Sequence, residues 1–312
     1  MSVLSKRNLM TAHSVALLVP VMWGLYWIPA RYVEASIGAG VWGTVYVVIV
    51  ACVVLAPAAW RYRTSLYASN RYALISTGLG GASFALYAAG LLYGSVAVVV
   101  ILYYLTPVWS ILIARLWFKQ ETSLARYAAI AIGMVGIFLV LKGDNTGIPL
   151  PHEIGDWLGL GGGILWSIAS TGMYRHSRLD AYSSNFIFSV GALLSAVLLA
   201  FVIEGPSLET GHSIDYITGI PAIIIIGVGW WAVALTAFLW AARFLEPTRL
   251  GIFMMTEVVA GAVSAALFAS EPYGVLMMVG TFLVVAAGLM AVASPSTSLA
   301  VENRDIEPDI SR

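Results

Sequence analysis

Three side chains in the first apolar stretch combine charge with aromatic surface. Trp23, Trp27 and Arg31 follow one another at intervals of four residues, so a helix would place them on one face. An arginine within an apolar segment is costly and is therefore a functional hypothesis. Arg31 could clamp an anion at the outer opening of a cavity, or it could snorkel and pair with Glu34. The sequence leaves both interpretations open.

A second charged side chain, Glu257, lies close to the middle of the apolar stretch 248–269. Burial in an apolar medium disfavours the charged form of a carboxyl group. Glu257 could therefore carry a proton, or it could pair with an ammonium group on a substrate. The alternative is a protonated glutamate that only hydrogen bonds between helices.

Several aromatic side chains lie near the centres of apolar stretches rather than at the ends, where Trp and Tyr are usually enriched. Their faces attract cations, and their N–H and O–H groups need partners when buried. We expect a central substrate cavity formed by Trp23, Trp27, Arg31, Tyr87, Tyr103, Tyr104, Trp166, Trp230 and Glu257. Pro29 and Pro107 also lie inside apolar stretches, where a proline bends a helix, so both are predicted hinges.

The elements that must position these side chains are long apolar segments. Hydrophobic residues form 60% of the 312-residue chain and charged residues only 10%, against about 25% charged in soluble domains. This composition predicts a membrane protein. Segments long enough to cross a bilayer run over 14–34, 39–59, 72–93, 95–118, 124–142, 157–174, 182–203, 218–242, 248–269 and 273–293.

The basic residues predict an orientation for these ten spans. With the N-terminus inside, all sixteen lysines and arginines except Arg31 and Lys142 fall on the inner side, in agreement with the positive-inside rule. We therefore expect a bacterial inner-membrane protein with both termini in the cytoplasm. Its predicted parts are a cytoplasmic N-terminus at 1–13, a five-helix unit at 14–142, a periplasmic loop at 143–156, a second five-helix unit at 157–293 and a disordered cytoplasmic tail at 294–312.

The two halves of the chain resemble each other. Residues 105–121 align with residues 255–271, and a nearby register matches Trp23 with Trp166. Because each half has an odd number of spans, the halves would lie in opposite orientation, as in carriers whose site lies between inverted repeats. The predicted fold is an all-α integral membrane protein, with ten helices forming two inverted five-helix repeats around a central cavity.

Together these features resemble the EamA branch of the drug/metabolite transporter superfamily. The resemblance rests on the five-plus-five spans, a Trp-Gly pair followed by a basic residue, and a glutamate that ends the fourth and ninth spans (Trp23, Gly24, Arg31, Glu121, Glu271). It implies a secondary transporter, most often an exporter of amino acids or other small metabolites, with a cavity that opens alternately to each side. The segment "YYLTP" at 103–107 is more distantly similar to a Tyr-Leu-Trp-Pro stretch of the aromatic amino-acid exporters, with Thr106 in place of the tryptophan.

The sequence therefore predicts a non-enzymatic exporter of small metabolites, such as amino acids or related amphipathic and aromatic solutes, which a proton gradient could drive. Two alternatives stay open: an importer of a vitamin or aromatic heterocycle with the same fold, and a lipid-handling or scaffold membrane protein that transports nothing.

The expected partners are a small-molecule substrate and the lipid bilayer. The four histidines lack the spacing of metal ligands, so neither a metal nor a cofactor is expected. Zero net charge and dispersed basic residues argue against nucleic-acid binding. The oligomeric state is left open, and a monomer is compatible with the sequence.

Overall fold

The structure is a computed structural model that describes residues 3–118, 123–142, 151–176, 179–205, 216–242, 244–245, 247–269 and 274–293. Regular secondary structure in these residues is entirely helical: α1 (Val3–Gly24), α2 (Trp27–Ile37), α3 (Val41–Arg61), α4 (Arg63–Tyr67), α5 (Arg71–Tyr93), α6 (Val96–Tyr103), α7 (Thr106–Phe118), α8 (Leu124–Lys142), α9 (Ile154–His176), α10 (Ala181–Ile203), α11 (Tyr216–Ile226), a π-helix (Gly227–Ala234), α12 (Leu235–Ala241), α13 (Pro247–Phe268) and α14 (Val275–Ala293). Glu121, Glu271, residues 143–150 of the predicted loop and the tail 294–312 lie outside the described residues.

Many of these helices have the length and composition of membrane spans. Six segments are long and apolar enough to cross a membrane: Asn8–Ile37, Val41–Arg61, Arg71–Tyr93, Val96–Ile113, Ala181–Ile203 and Ile217–Ala241. Three shorter apolar helices are Tyr127–Val140, Phe253–Phe268 and Val275–Met290. These segments coincide with every predicted span except 157–174, where α9 forms a helix of 23 residues. The chain is thus a multi-pass membrane protein, and the count of ten spans stays a prediction.

The surface of α10 illustrates how the helices meet lipid. Leu194, Leu198 and Val202 follow one another at intervals of four residues and are 69%, 64% and 73% exposed. The opposite side of the helix buries small residues such as Ala192 and Ala196. An apolar outward face and a closely packed inward face of small side chains are typical of helices in a bilayer.

Two of the predicted spans are broken near their middle. Residues 25–26 separate α1 from α2, and residues 104–105 separate α6 from α7. Each break comes within one turn before a predicted hinge, Pro29 or Pro107. A proline has no N–H to donate to the carbonyl four residues earlier, which weakens the helix at that point.

The break before α7 satisfies its freed carbonyl locally. Pro107 cannot donate to the carbonyl oxygen of Tyr103, and the Thr106 hydroxyl donates to that oxygen instead, at 2.9 Å. The same hydroxyl lies 3.4 Å from the carbonyl oxygen of Gly163 on α9. The break is therefore held against a helix of the second half.

The π-helix is stabilised by a buried amide on a neighbouring helix. Asn185 of α10 donates through Nδ2 to the carbonyl oxygens of Trp231 at 2.8 Å and Ala232 at 3.1 Å, and it also reaches Oγ1 of Thr236 at 2.8 Å. Wider turns leave backbone carbonyls out of line with their usual donors. Asn185 supplies the missing donor to two of them.

The two halves pack against each other through helices that cross closely. α1 packs against α13 and α12, while α6 and α5 pack against α9. α8 packs against α14, and α3 against α10. A Cβ atom added at Gly24 would lie 2.6 Å from the carbonyl oxygen of Glu257, so only glycine permits the α1–α13 crossing at this distance.

Candidate functional site

A cavity of about 140 Å³ lies between the two helix breaks and one end of the bundle. That end carries the exposed residues Arg61, Arg63 and Arg71, and we call it the basic end. The cavity is lined from α1 by Trp23, which precedes the first break, and from α10 by Phe188, in the first third of that helix. Since α10 and α5 both start near the basic end, the cavity occupies that half of the molecule.

Aromatic rings form the walls of the cavity. Phe84 lies at their centre, with ring centroids 5.0 Å from Trp23, 5.3 Å from Trp166 and 5.0 Å from Phe188. Two of these pairs are edge-to-face, an arrangement that aromatic quadrupoles favour. Phe238 of α12 completes the aromatic lining.

Glu257 of α13 is the acidic side chain that lines the cavity. It is only 4% exposed, and its Oε2 accepts a hydrogen bond of 2.5 Å from the hydroxyl of Tyr104. Tyr104 reaches the carboxylate because it lies in the break between α6 and α7. Among the described residues, Oε1 of Glu257 and Nε1 of Trp23 have no hydrogen-bond partner. The Tyr87 hydroxyl also interacts with the Glu257 carboxylate, so the wall beside the cavity carries a carboxylate, two tyrosine hydroxyls and an indole N–H.

Arg31 is bound at the opposite end of the bundle. Its Nε donates to the carbonyl oxygen of Leu91 at 3.2 Å and its Nη2 to that of Gly94 at 3.0 Å. These carbonyls belong to the end of α5, where a cation also interacts favourably with the helix dipole. The Arg31 guanidinium lies 5.4 Å from the centre of the Trp27 ring, within the range of a cation–π contact.

Two glutamates close the same end. Glu204, which follows α10, accepts hydrogen bonds at Oε1 from the backbone N–H of Val41 and the hydroxyl of Tyr93. Glu34 accepts from the backbone N–H of Gly40. We call this end, which carries Glu34 and Glu204, the acidic end.

Gly40 allows the carboxylate of Glu204 to approach. Its φ of 50° lies in the region that favours glycine, and the carboxylate of Glu204 fills the space that a Cβ would need. The void beneath these contacts, beside Tyr26 and Thr44, measures only about 10 Å³. That volume admits one water molecule at most, so this void does not hold a solute.

The structure distributes the predicted site residues over both regions. Trp23, Trp166 and Glu257 line the cavity. The others are not among its lining residues: Trp27, Arg31, Tyr87, Tyr103, Tyr104 and Trp230. A role for any of them in substrate binding stays a prediction, as does hinge motion at Pro29 and Pro107.

Most of the predicted residues outside the lining have assigned contacts. Trp27 donates from Nε1 to Oγ of Ser264 at 2.9 Å, and Trp230 donates to the carbonyl oxygen of Met22 at 3.0 Å. Tyr103 lies behind the cavity wall, where its ring centroid is 4.6 Å from that of Tyr87.

Of the three side chains expected on one helix face, Trp27 and Arg31 contact each other as their spacing predicts, and Trp23 lies on the other side of a helix break. The break at residues 25–26 falls between the two tryptophans, so the regular turn on which the spacing argument depends is interrupted. Trp23 faces the cavity, whereas Trp27 and Arg31 bind groups nearer the acidic end.

Sequence reasoning overlooked three important residues. Phe84 has no polar group to distinguish it from a packing residue in the sequence, and Asn185 is not ionisable. A lone Asn within an apolar span is a usable signal, because a buried amide needs partners. The pairing of Glu204 with Tyr93 and Val41 has no local signature, because more than a hundred residues separate these partners.

Comparisons with known proteins agree with this architecture. Residues 10–142 match the model of the EamA-like transporter family. A solved structure described only as "Crystal structure of protein" aligns with a TM-score of 0.55 and 17% identity, over 94% of this chain and 99% of that chain. This likeness shows the fold alone, and no curated protein matches the chain. Residues 10–142 are therefore similar to the EamA-like transporter family, which is part of the drug/metabolite transporter superfamily.

Proposed function

We propose that this chain is a secondary transporter that exports small amphipathic metabolites by alternating access. The observation that carries the proposal is the difference between the two ends: an aromatic cavity with a carboxylate lies toward the basic end, and hydrogen bonds close the acidic end. A carrier needs a site near the middle of the bilayer that is closed on one side at a time. If the basic end faces the cytoplasm, as the positive-inside rule predicts, the structure corresponds to an inward-facing state.

The helix packing supports a two-fold inverted arrangement. The first and sixth predicted spans are α1 and α9, the third and eighth contain α5 and α12, and the fourth and ninth contain α6 and α13. If these spans correspond in pairs, the α1–α13 contact corresponds to the α6–α9 contact, and the α5–α9 contact to the α1–α12 contact. The α3–α10 and α8–α14 pairs each relate a span to its own counterpart. Such pairing is what inverted repeats around a central site produce, and rocking of one repeat against the other would open the acidic end.

Glu257 is the proposed coupling group. It is buried in the wall of the cavity and has one oxygen without a hydrogen-bond partner among the described residues. Because a buried carboxylate is stabilised either by a proton or by a cationic ligand, substrate and proton would compete for it. Such competition is the simplest way for a proton gradient to drive export.

Reconstitution into liposomes tests the transport function. Vesicles containing the protein and a mixture of amino acids, amines and small heterocycles should lose some of these solutes faster than protein-free vesicles, and an outside-acid gradient should accelerate the loss. The Glu257→Gln variant should lose the acceleration, whereas Glu153→Gln, an exposed carboxylate at the acidic end, should keep it. If no solute leaves faster than from protein-free vesicles, the transporter proposal is wrong and the scaffold alternative is favoured.

A further inference from the structure

We infer that the cavity selects amphipathic monocations, that is, amines with one aromatic or compact apolar group and no carboxylate, over zwitterionic amino acids. The inference deepens the proposed transport function and rests on it for its physiological meaning, although binding to the cavity can be measured by itself. It narrows the substrate class that the sequence predicts, because it separates amines from the amino acids that carry the same side groups.

The inference rests on the charge of the side chains that line the cavity. Among the described residues that line the cavity, Glu257 is acidic and none is Lys, Arg or His. An amino acid would bring its own carboxylate into this space, where no described lining residue supplies a compensating cation. Burial of an uncompensated carboxylate is strongly unfavourable, so a zwitterion is disfavoured here even though its ammonium group could reach Glu257.

Arg31 does not supply a positive charge to the cavity. Its guanidinium donates to the carbonyl oxygens of Leu91 and Gly94 at the end of α5, beyond the break at residues 25–26. The neutral indole N–H of Trp23 could donate to one carboxylate oxygen, but it supplies no charge. The cavity is thus built for a ligand with one positive charge.

The aromatic walls and the volume of the cavity indicate the uncharged part of the ligand. Trp23, Phe84, Trp166 and Phe188 present aromatic faces and edges to the same space, and aromatic faces attract ammonium groups. The cavity of about 140 Å³ is close to the roughly 150 Å³ at which an apolar cavity accepts benzene. A single six-membered ring therefore fills this volume, and a short aminoalkyl chain on the ring could bring an ammonium group to Glu257.

Titration calorimetry on the purified protein tests the inference with three probes that share a phenyl ring. They are 2-phenylethylamine, a cation; phenylalanine, a zwitterion; and 3-phenylpropionate, an anion. We expect 2-phenylethylamine to bind at least about tenfold more tightly than phenylalanine, a difference that corresponds to about 1.4 kcal/mol, and 3-phenylpropionate to bind most weakly. This comparison uses the unmodified protein and does not depend on whether a variant folds.

Two variants test whether the preference for the amine depends on the charge of Glu257. Glu257→Gln keeps the size of the side chain and an oxygen that can accept from Tyr104, but it removes the charge, so the preference for the amine should fall to less than about threefold. Glu153→Gln changes an exposed carboxylate at the other end and should keep the full preference. Equal or tighter binding of phenylalanine by the unmodified protein, or no binding of 2-phenylethylamine at millimolar concentration, would overturn the inference.

The outcomes also separate this inference from the transport proposal. Selective binding of the amine without any solute movement in liposomes would support the cavity assignment and contradict transport. Movement of zwitterionic amino acids without binding of the amine would support transport and contradict the selectivity.

Discussion

The two ends of the helix bundle differ in what their charged and polar side chains bind. At the acidic end, Arg31, Glu34 and Glu204 bind backbone groups and a tyrosine. The void beside Tyr26 and Thr44 at this end is about 10 Å³. Toward the basic end, Glu257 and Trp23 keep polar atoms that have no partner among the described residues, around a cavity of about 140 Å³. Buried polar groups are nearly always satisfied, so unpartnered polar atoms beside a cavity of this size give the second region the features of a binding site, whereas the charged side chains of the first region bind protein groups.

The largest effect is expected from Phe84→Ala. Phe84 is 7% exposed and its ring contacts three other rings that line the cavity, so its truncation should cost about 3–5 kcal/mol of stability. Binding of 2-phenylethylamine should weaken at least about tenfold as the wall collapses. Unfolding in detergent and titration calorimetry measure the two effects. Phe282→Ala is the control, because Phe282 is 71% exposed and should change neither value.

Glu204→Ala should open the acidic end. The substitution removes the acceptor for the Tyr93 hydroxyl and the Val41 N–H, and hydrogen bonds to charged groups contribute about 1.5–3 kcal/mol each when well shielded. Because this site is only half-buried, we expect a shift of roughly tenfold in the accessibility of the void. The measurement is the rate at which a maleimide labels Thr44→Cys in a Cys52→Ala background.

The matched change for Glu204→Ala is Glu153→Ala, at an exposed carboxylate of the same end. Glu153→Ala should leave the labelling rate of Thr44→Cys unchanged. Equal rates in Glu204→Ala and the parent protein would show that the acidic end is not held shut by this carboxylate.

Arg31→Lys should have a smaller effect at the same end. Lysine keeps the charge but cannot donate from two fixed nitrogens to the carbonyls of Leu91 and Gly94. We expect labelling of Thr44→Cys to accelerate about threefold, while the affinity for 2-phenylethylamine stays within about twofold of the parent value. A large loss of affinity would place Arg31 in the binding site, as the sequence predicts.

Trp27→Phe should have the smallest effect. It removes the hydrogen bond of 2.9 Å from Nε1 to Ser264, which contributes about 1 kcal/mol to stability. Affinity for the amine and labelling at the acidic end should both stay unchanged. Ser264→Ala removes the same bond from the other side and should give a similar loss in the unfolding measurement. If Trp27→Phe alone strongly weakened binding of the amine, Trp27 would be part of the binding site, as the sequence predicts.

The membrane-spanning segments could be predicted because they depend on local properties. A bilayer demands about twenty apolar residues for each span whatever the neighbouring helices are, and the observed helices coincide with the predicted stretches to within a few residues at most boundaries. The breaks were also foreseeable, because Pro29 and Pro107 lack a backbone donor. Their positions were not, because each helix opens before its proline rather than at it.

The composition of the site could be predicted only in part. The cost of a buried carboxylate singled out Glu257, and the central tryptophans singled out Trp23 and Trp166, all of which line the cavity. The four-residue spacing correctly pairs Trp27 with Arg31, but it could not show that a helix break separates this pair from Trp23 and that neither lines the cavity.

The sequence by itself determined that the chain is an apolar helical protein of a membrane, with an inner carboxylate, central aromatic residues and weak points at two prolines. These properties follow from residue type and from distances of a few residues. Only the tertiary structure decided that Phe84 joins the rings into one wall, that Tyr104 holds Glu257, and that Glu204 reaches Val41 across 163 positions to close the acidic end. Such contacts depend on which helices cross, and that is determined by packing over the whole chain rather than by any one segment.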